Sequence, residues 1–278
     1  YIKLTDSIDT GDGLLKYKSL KIRDTEKEGY GKLTVKEAFK VSSNVGVVMT
    51  ILKHYEDNQE EFIDRLYKMN LNKKLNIEIP GEPDPIIKYP GDSLWWAGTL
   101  AQTCYGYEVK FTPLQILSFY NAVANDGRMV RPQFVKQLEK DGRVVKRFKT
   151  EVIDNSICSR STIKKAQELL ESVVDDGYFR NDEGKVEYAG IRGTGHNLER
   201  DHYTIAGKTG TAQIATDDTG YKKGGRNQYQ ASFVGYFPAD NPKYSCIVVI
   251  NSPQLGGYYG NIIAGAVFVE DRKSTRLN

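Results

Sequence analysis

The chain reads as an α+β protein: a mostly antiparallel sheet flanked by helices, joined to a helix-rich subdomain. Three observations predict this. Helical periodicity with polar breaks fills the N-terminal half, β-branched and aromatic runs fill the last third, and strands and helices never alternate as regular βαβ units. With 278 residues the chain buries a substantial core, as one large domain or two closely packed subdomains.

The elements follow in order. Thr34-x-x-Glu37 is a capping box that opens a helix. Ser42-Ser43-Asn44 interrupts it, and Val45–Tyr55 resumes with Val48, Ile51, Leu52 and Tyr55 as its apolar positions. Phe62, Ile63, Leu66 and Tyr67 share one face of the next helix. Four prolines in Ile79–Asp92 predict a loop or extended connector. Thr112 caps a further helix, Pro113 fits its first turn and Gly127 ends it. Asp141-Gly142 between two strand-like runs is a hairpin signal. Ser161–Asp176 is amphipathic, with Gly177 as its stop.

The strands come last: Tyr203–Ile214, Tyr229–Pro238 and Tyr244–Pro253, with a polar tip at Thr216–Asn227 after the first. Ile262–Glu270 reads as the start of a closing helix. Asp271–Asn278 reads as a non-native tail, so the expected domain is 1–270, cut short at both ends.

Composition excludes several functions. A formal charge of +3, evenly scattered, argues against nucleic acid. Cys104, Cys158 and Cys246 form no C-x-x-C pair, and the three histidines form no H-E-x-x-H, so no metal is expected. No apolar run reaches membrane-spanning length and no signal peptide is visible.

Gly207-Lys208-Thr209 is the core of a phosphate loop, but such a loop needs a glycine where His202 stands and a helix where strand continues. One residue on, Lys208-Thr209-Gly210-Thr211 has a better use. On a strand, Lys208 supplies a cation, while Thr209 and Thr211 present hydroxyls on one face. Gly210 lets a ligand backbone approach. The plain alternative is a solvated edge strand guarded by its Lys and Thr residues. Ser42-Ser43-Asn44 is likewise readable as simple helix capping. Together, S-x-N followed by K-T-G matches two of three motifs of the penicillin-binding proteins and serine β-lactamases.

The blocks LTVKEAFKVSSNVG, CYGYEVKFTPLQILSFYNAVANDGRMVRP, IAGKTGTAQ and QASFVGYFPADNPKYS resemble, in order, the transpeptidase domain of a class B penicillin-binding protein. The form S-S-N-V-G is closer to the division (septal) branch. The resemblance implies a peptidoglycan D,D-transpeptidase acting through a serine acyl-enzyme, without metal or cofactor. It gives Ser42 a proton-relay role and Asn44 a hydrogen bond to the acyl-donor peptide. Lys208 supplies electrostatics, and the Thr209 and Thr211 hydroxyls receive the terminal carboxylate of a stem peptide or a β-lactam. The Thr211 N–H becomes half of an oxyanion hole.

It further implies a membrane anchor, an extracytoplasmic domain, and a membrane glycosyltransferase with division proteins as partners. The family's S-x-x-K motif, the acylated serine and its lysine, has no match in Tyr1–Val41: Ser7 and Ser19 lack the lysine. Ser161-x-x-Lys164 follows S-x-N instead of preceding it, and Ser161 reads as a helix cap. The nucleophile is therefore expected upstream of Tyr1, and the chain alone is expected to be inactive. The rival readings are a β-lactamase or β-lactam sensor of the same fold, and a non-catalytic binding module. Cys104 reads as a buried thiol, and Tyr105 and Tyr107 as either cleft lining or core.

Overall fold

Three strands, Ala206–Gln213, Tyr229–Phe237 and Tyr244–Asn251, form an antiparallel sheet in that order, as seen in a computed structural model. The model describes residues 2–183, 185–200, 202–214, 222–223, 226–254 and 257–274. The central strand, Tyr229–Phe237, is buried from Phe233 to Phe237 because helices cover both of its faces. Side chains alternate between those faces. Phe233 and Phe237 pack with Ala264 and Phe268 of the closing helix, the Phe233 and Phe268 rings meeting edge-on at 4.8 Å. Tyr236 and Ala206 point the other way, onto Ala122, Val123, Ile163 and Leu170. Each such large apolar side chain contributes about 1.5–3 kcal/mol by leaving water.

The helices covering the second face are α5 (Pro113–Ala124) and α6 (Arg160–Ser172), counting four shorter or more peripheral ones before them. Thr112 and Gln115 form a reciprocal capping box at the start of α5, with Pro113 in its first turn. Gly127, at φ +92°, returns its N–H to Ala122 O at 2.8 Å and turns the chain away. The cap of α6 is Ser159, not Ser161: the Ser159 hydroxyl accepts the Thr162 N–H at 3.2 Å. The helix thus begins one residue before the expected amphipathic stretch and ends at Ser172, before Val173 and Val174 dive into the core.

The helical subdomain holds α1 (Val35–Lys40), α2 (Asn44–Tyr55), α3 (Gln59–Lys68) and α4 (Thr99–Cys104). The Thr34–Glu37 capping box opens α1 as expected. α2 buries Val45 and Val48 against Ile22 and Ala101, from the Leu14–Tyr17/Leu20–Arg23 hairpin and α4. Its buried face therefore lies nearer the N-terminus than Ile51 and Tyr55 suggested. Cys104 packs at the edge of this cluster, its thiol donating to Leu100 O at 3.1 Å, and burial pushes the thiol up to about 12.

The proline-rich connector carries one short pair, Ile86–Ile87 with Val109–Lys110. Asp141 and Gly142, both at positive φ, turn the Gln137–Lys140/Arg143–Arg147 hairpin as their sequence predicted. A second hairpin, Tyr178–Arg180 with Val186–Tyr188, adds to the elements expected from the sequence. The closing helix, α7, spans Ala264–Ser274 and so runs past Glu270. Most of the expected polar tip lies outside the described residues; its described part is Lys222–Lys223 paired with Arg226–Asn227.

Candidate active site

The turn between α1 and α2 sets the first half of the site. α1 ends with Val41, and Ser42 follows at φ +56°, the left-handed conformation that a helix stop usually gives to glycine. A serine there costs about 1 kcal/mol, which points to a need for its side chain. Ser43 is 1% exposed and caps α2, its hydroxyl accepting the Gly46 N–H at 2.8 Å and donating to Asp24 Oδ2 at 2.8 Å. Asp24 Oδ1 also accepts the Val45 N–H at 3.0 Å. One carboxylate thus clasps the start of α2. Asn44 donates its amide to Arg23 O at 2.9 Å, which leaves its carbonyl oxygen to face outward.

The second half is the Ala206–Gln213 strand, which among the described residues lies at the edge of the sheet and pairs with Tyr229–Phe237 alone. It continues without a break through Gly207-Lys208-Thr209, so the phosphate-loop geometry is absent. The Lys208 ammonium donates to the Ser42 hydroxyl and to Thr209 O at 3.2 Å, and lies 5.7 Å from the centre of the Phe39 ring. Burial there lowers Lys208 to about 8 from the usual 10.5. The two motifs, 166 residues apart in sequence, are therefore in direct contact. A Cβ on Gly210 would fall 2.4 Å from Ser232 Oγ, so only glycine fits that position without displacement.

The Thr209 hydroxyl meets the Thr194 hydroxyl at 2.8 Å, and Thr211 Oγ1 accepts the Gly260 N–H at 3.2 Å. Thr194 was not singled out from the sequence. Its backbone N–H donates to Lys40 O at 3.1 Å, and the Lys40 ammonium pairs with Asp175 at 2.7 Å while only 9% of its side chain is exposed. The S-S-N turn and the K-T-G-T strand are consequently joined twice, through Lys208–Ser42 and through Lys40–Thr194–Thr209.

Between them opens a cleft of about 480 Å³ lined by Arg23, Asn44, Gln102, Tyr105, Tyr107 and Thr211. Tyr105 and Tyr107 resolve as cleft residues, their rings edge-on at 5.4 Å, although Tyr105 also touches the α2–α4 core. Gln102 adds a buried carbonyl oxygen without a hydrogen-bond partner, an acceptor that a ligand N–H would satisfy. The arrangement offers a fixed cation, two hydroxyls, two amide oxygens and an open backbone edge. That set suits an extended peptide with a terminal carboxylate. Ser161 and Lys164 lie away from this cleft: both are exposed on α6, and Ser161 hydrogen-bonds with Ser159 Oγ at 3.0 Å. Among the described residues no group of His, Cys, Asp and Glu could hold a metal ion.

A family model described as penicillin binding protein transpeptidase domain matches residues 1–270. The chain is 30% identical over 234 residues to penicillin-binding protein PbpB of Mycolicibacterium smegmatis, covering 84% of this chain and 33% of the relative. It is 29% identical over 239 residues to peptidoglycan D,D-transpeptidase FtsI of Escherichia coli, covering 86% of this chain and 35% of that protein. The chain therefore spans about a third of the length of these relatives. Penicillin-binding protein 3 of Mycobacterium tuberculosis in complex with ampicillin superposes with a TM-score of 0.76 at 25% identity, over 98% of this chain and 58% of that one. The transpeptidase domain of Burkholderia pseudomallei penicillin-binding protein 3 shares the fold, with a TM-score of 0.74 at 24% identity over all of this chain and 74% of that one.

Proposed function

Because the chain belongs to the penicillin-binding protein transpeptidase family, we propose that it is the greater part of a peptidoglycan D,D-transpeptidase domain that cross-links stem peptides in septal wall synthesis. The contact of the Lys208 ammonium with the Ser42 hydroxyl carries this reading, because it unites the two motifs at one end of a peptide-sized cleft. The terminal carboxylate of a donor stem sits against Lys208, Thr209 and Thr211. The donor's amide N–H groups meet the Asn44 and Gln102 oxygens.

A serine upstream of Tyr1, activated by the lysine of its S-x-x-K motif, attacks the penultimate carbonyl and forms an ester. Ser42, held by Lys208, passes a proton to the departing terminal amine. The developing oxyanion is met by the Thr211 N–H and the nucleophile's own N–H. The amine of a neighbouring stem then attacks the ester, forms the new amide and frees the serine. In the intact protein this domain stands outside the cytoplasm behind a membrane anchor and works beside a membrane glycosyltransferase. Among the described residues of this chain, no helix is long and apolar enough to cross a membrane.

The test is labelling by fluorescent penicillin of the protein extended upstream to include S-x-x-K. The expected outcome is a stable acyl-enzyme that turns over slowly. Rapid hydrolysis of the antibiotic would assign the fold to a β-lactamase instead. No labelling by the extended protein would leave a binding module.

A further inference from the structure

Arg192 has an environment that the proposed reaction does not use. Its guanidinium lies over two tyrosine rings, 5.5 Å from the centre of Tyr178 and 5.4 Å from that of Tyr188, and donates to the Tyr178 hydroxyl at 3.1 Å. The rings themselves are 5.1 Å apart and tilted at 41°. Both tyrosines are nearly half exposed, at 47% and 48%, on the Tyr178–Arg180/Val186–Tyr188 hairpin. No carboxylate of the described residues pairs with Arg192. Asp176, whose field reaches it, is engaged by the Tyr178 N–H at 2.8 Å. Stacking on tyrosine faces leaves the in-plane N–H groups of a guanidinium free to fork onto a carboxylate.

The backbone fixes where that fork is held. Ile191 packs against Leu33, Ala38 and Val41, immediately before Ser42. The Gly193 N–H donates to Asp175 O at 2.9 Å, and a Cβ there would lie 2.0 Å from Val173 O. Arg192 therefore projects from a rigid segment, two residues from Thr194 and so at most about 7 Å from it between Cα atoms. Arg192 is thus tied to the K-T-G-T strand through Thr194, two residues on, whose hydroxyl meets Thr209 at 2.8 Å. Little further ordering is needed for Arg192 to receive a carboxylate, because the tyrosines already hold the side chain.

We infer that Arg192, held on Tyr178 and Tyr188, is a second carboxylate subsite at the rim of the cleft, taking an acidic group within a stem peptide and not its terminal carboxylate. This deepens the proposed function and rests on it. A penicillin, whose single carboxylate goes to Lys208, Thr209 and Thr211, does not engage it. The subsite serves either the donor stem or the acceptor stem, and the two are separable by experiment.

In the upstream-extended protein, Arg192→Gln is compared with the unaltered enzyme in three reactions: penicillin acylation, release of the terminal residue from a donor stem peptide, and transfer to an acceptor peptide amine. Penicillin acylation is expected to stay within about twofold. One peptide step is expected to show a KM raised about tenfold with kcat unchanged, the loss of one charge-assisted contact at an exposed site. Loss in the donor step assigns the donor carboxylate, and loss in the transfer step assigns the acceptor's. A peptide with that carboxylate amidated should lose the same factor with the unaltered enzyme and nothing more with Arg192→Gln. Arg192→Lys should recover part of the loss.

Unchanged peptide kinetics overturn the inference. So does an equal fall in penicillin acylation, which would mark a structural role. If Arg192→Gln lowers the melting temperature, Tyr188→Phe and the amidated peptide still decide: Tyr188→Phe keeps the stacked ring and should keep the subsite. Failure of the unaltered enzyme to bind penicillin at all refutes the proposed function instead.

Discussion

The S-S-N turn and the K-T-G-T strand meet at one ammonium, yet they are held in place by opposite means. Side chains fix the turn: the Asp24 carboxylate clasps Ser43 and the Val45 N–H, the Ser43 hydroxyl caps α2, and Ser42 is forced left-handed. The strand is fixed by its backbone ladder with Tyr229–Phe237, leaving the Lys208, Thr209 and Thr211 side chains free of the job of holding it. A site assembled this way has a fragile half and a robust half. Substitutions of the side chains that clasp the turn should unfold it, whereas substitutions on the strand should silence it without unfolding.

The largest effect should come from the robust half. Lys208→Ala in the upstream-extended protein is expected to lower the penicillin acylation rate by roughly a hundredfold or more, with the melting temperature unchanged or raised because a buried charge is removed. A melting temperature that falls with the labelling would break the contrast. pH sharpens it. Burial sets Lys208 at about 8 instead of 10.5, so its folded ammonium loses its proton first as pH rises. The cost of burying the charge is present below about 8 and is relieved between about 8 and 10.5, so this group's contribution to stability rises with pH in that window. Carboxylate affinity should fall over the same range, and Lys208→Arg should flatten that fall.

The fragile half supplies the next effect. Asp24→Ala removes two charge-assisted hydrogen bonds and should destabilise the chain by about 3 kcal/mol, read as a lower urea midpoint. An unchanged midpoint would show that Ser43 and the ladder suffice. Thr194→Val probes the second link between the halves. If Thr194 donates to Thr209, the Thr209 proton is free for a carboxylate, and losing that donor should weaken binding about fivefold. Thr194→Ser should restore it, and Thr209→Val should lose at least as much. The smallest effect runs in the stabilising direction: Ser42→Gly should raise stability by about 1 kcal/mol while impairing acyl transfer.

Local chemistry was legible and long-range pairing was not. Thr34–Glu37, Thr112–Pro113 and Asp141-Gly142 declare themselves because cap and turn need only neighbouring residues. The three sheet strands follow from their β-branched and aromatic runs. Motif spacing singles out Lys208, Ser42 and Asn44, and the fold brings Lys208 against Ser42. Asp24, Thr194 and the Lys40–Asp175 pair were missed, since an aspartate in a loop or a threonine between glycines looks solvated until the fold brings its partner close. Ser159 and Ser161, two residues apart, make equally good caps on sequence grounds, and only the bend of the chain into α6 selects Ser159. The Tyr178–Tyr188 hairpin is signalled in the sequence only by the turn residues Asn181, Asp182 and Gly184, and nothing local to Arg192 marks it.

The position of Ala206–Gln213 at the sheet edge has one more consequence. A guest that pairs with that edge becomes a temporary fourth strand and is read by its main chain. Recognition of this kind is tolerant of which side chains the guest carries, because every ladder bond goes to a main-chain N–H or C=O group. The edge sets the line along which a guest lies, and the side chains flanking it are left to choose among guests.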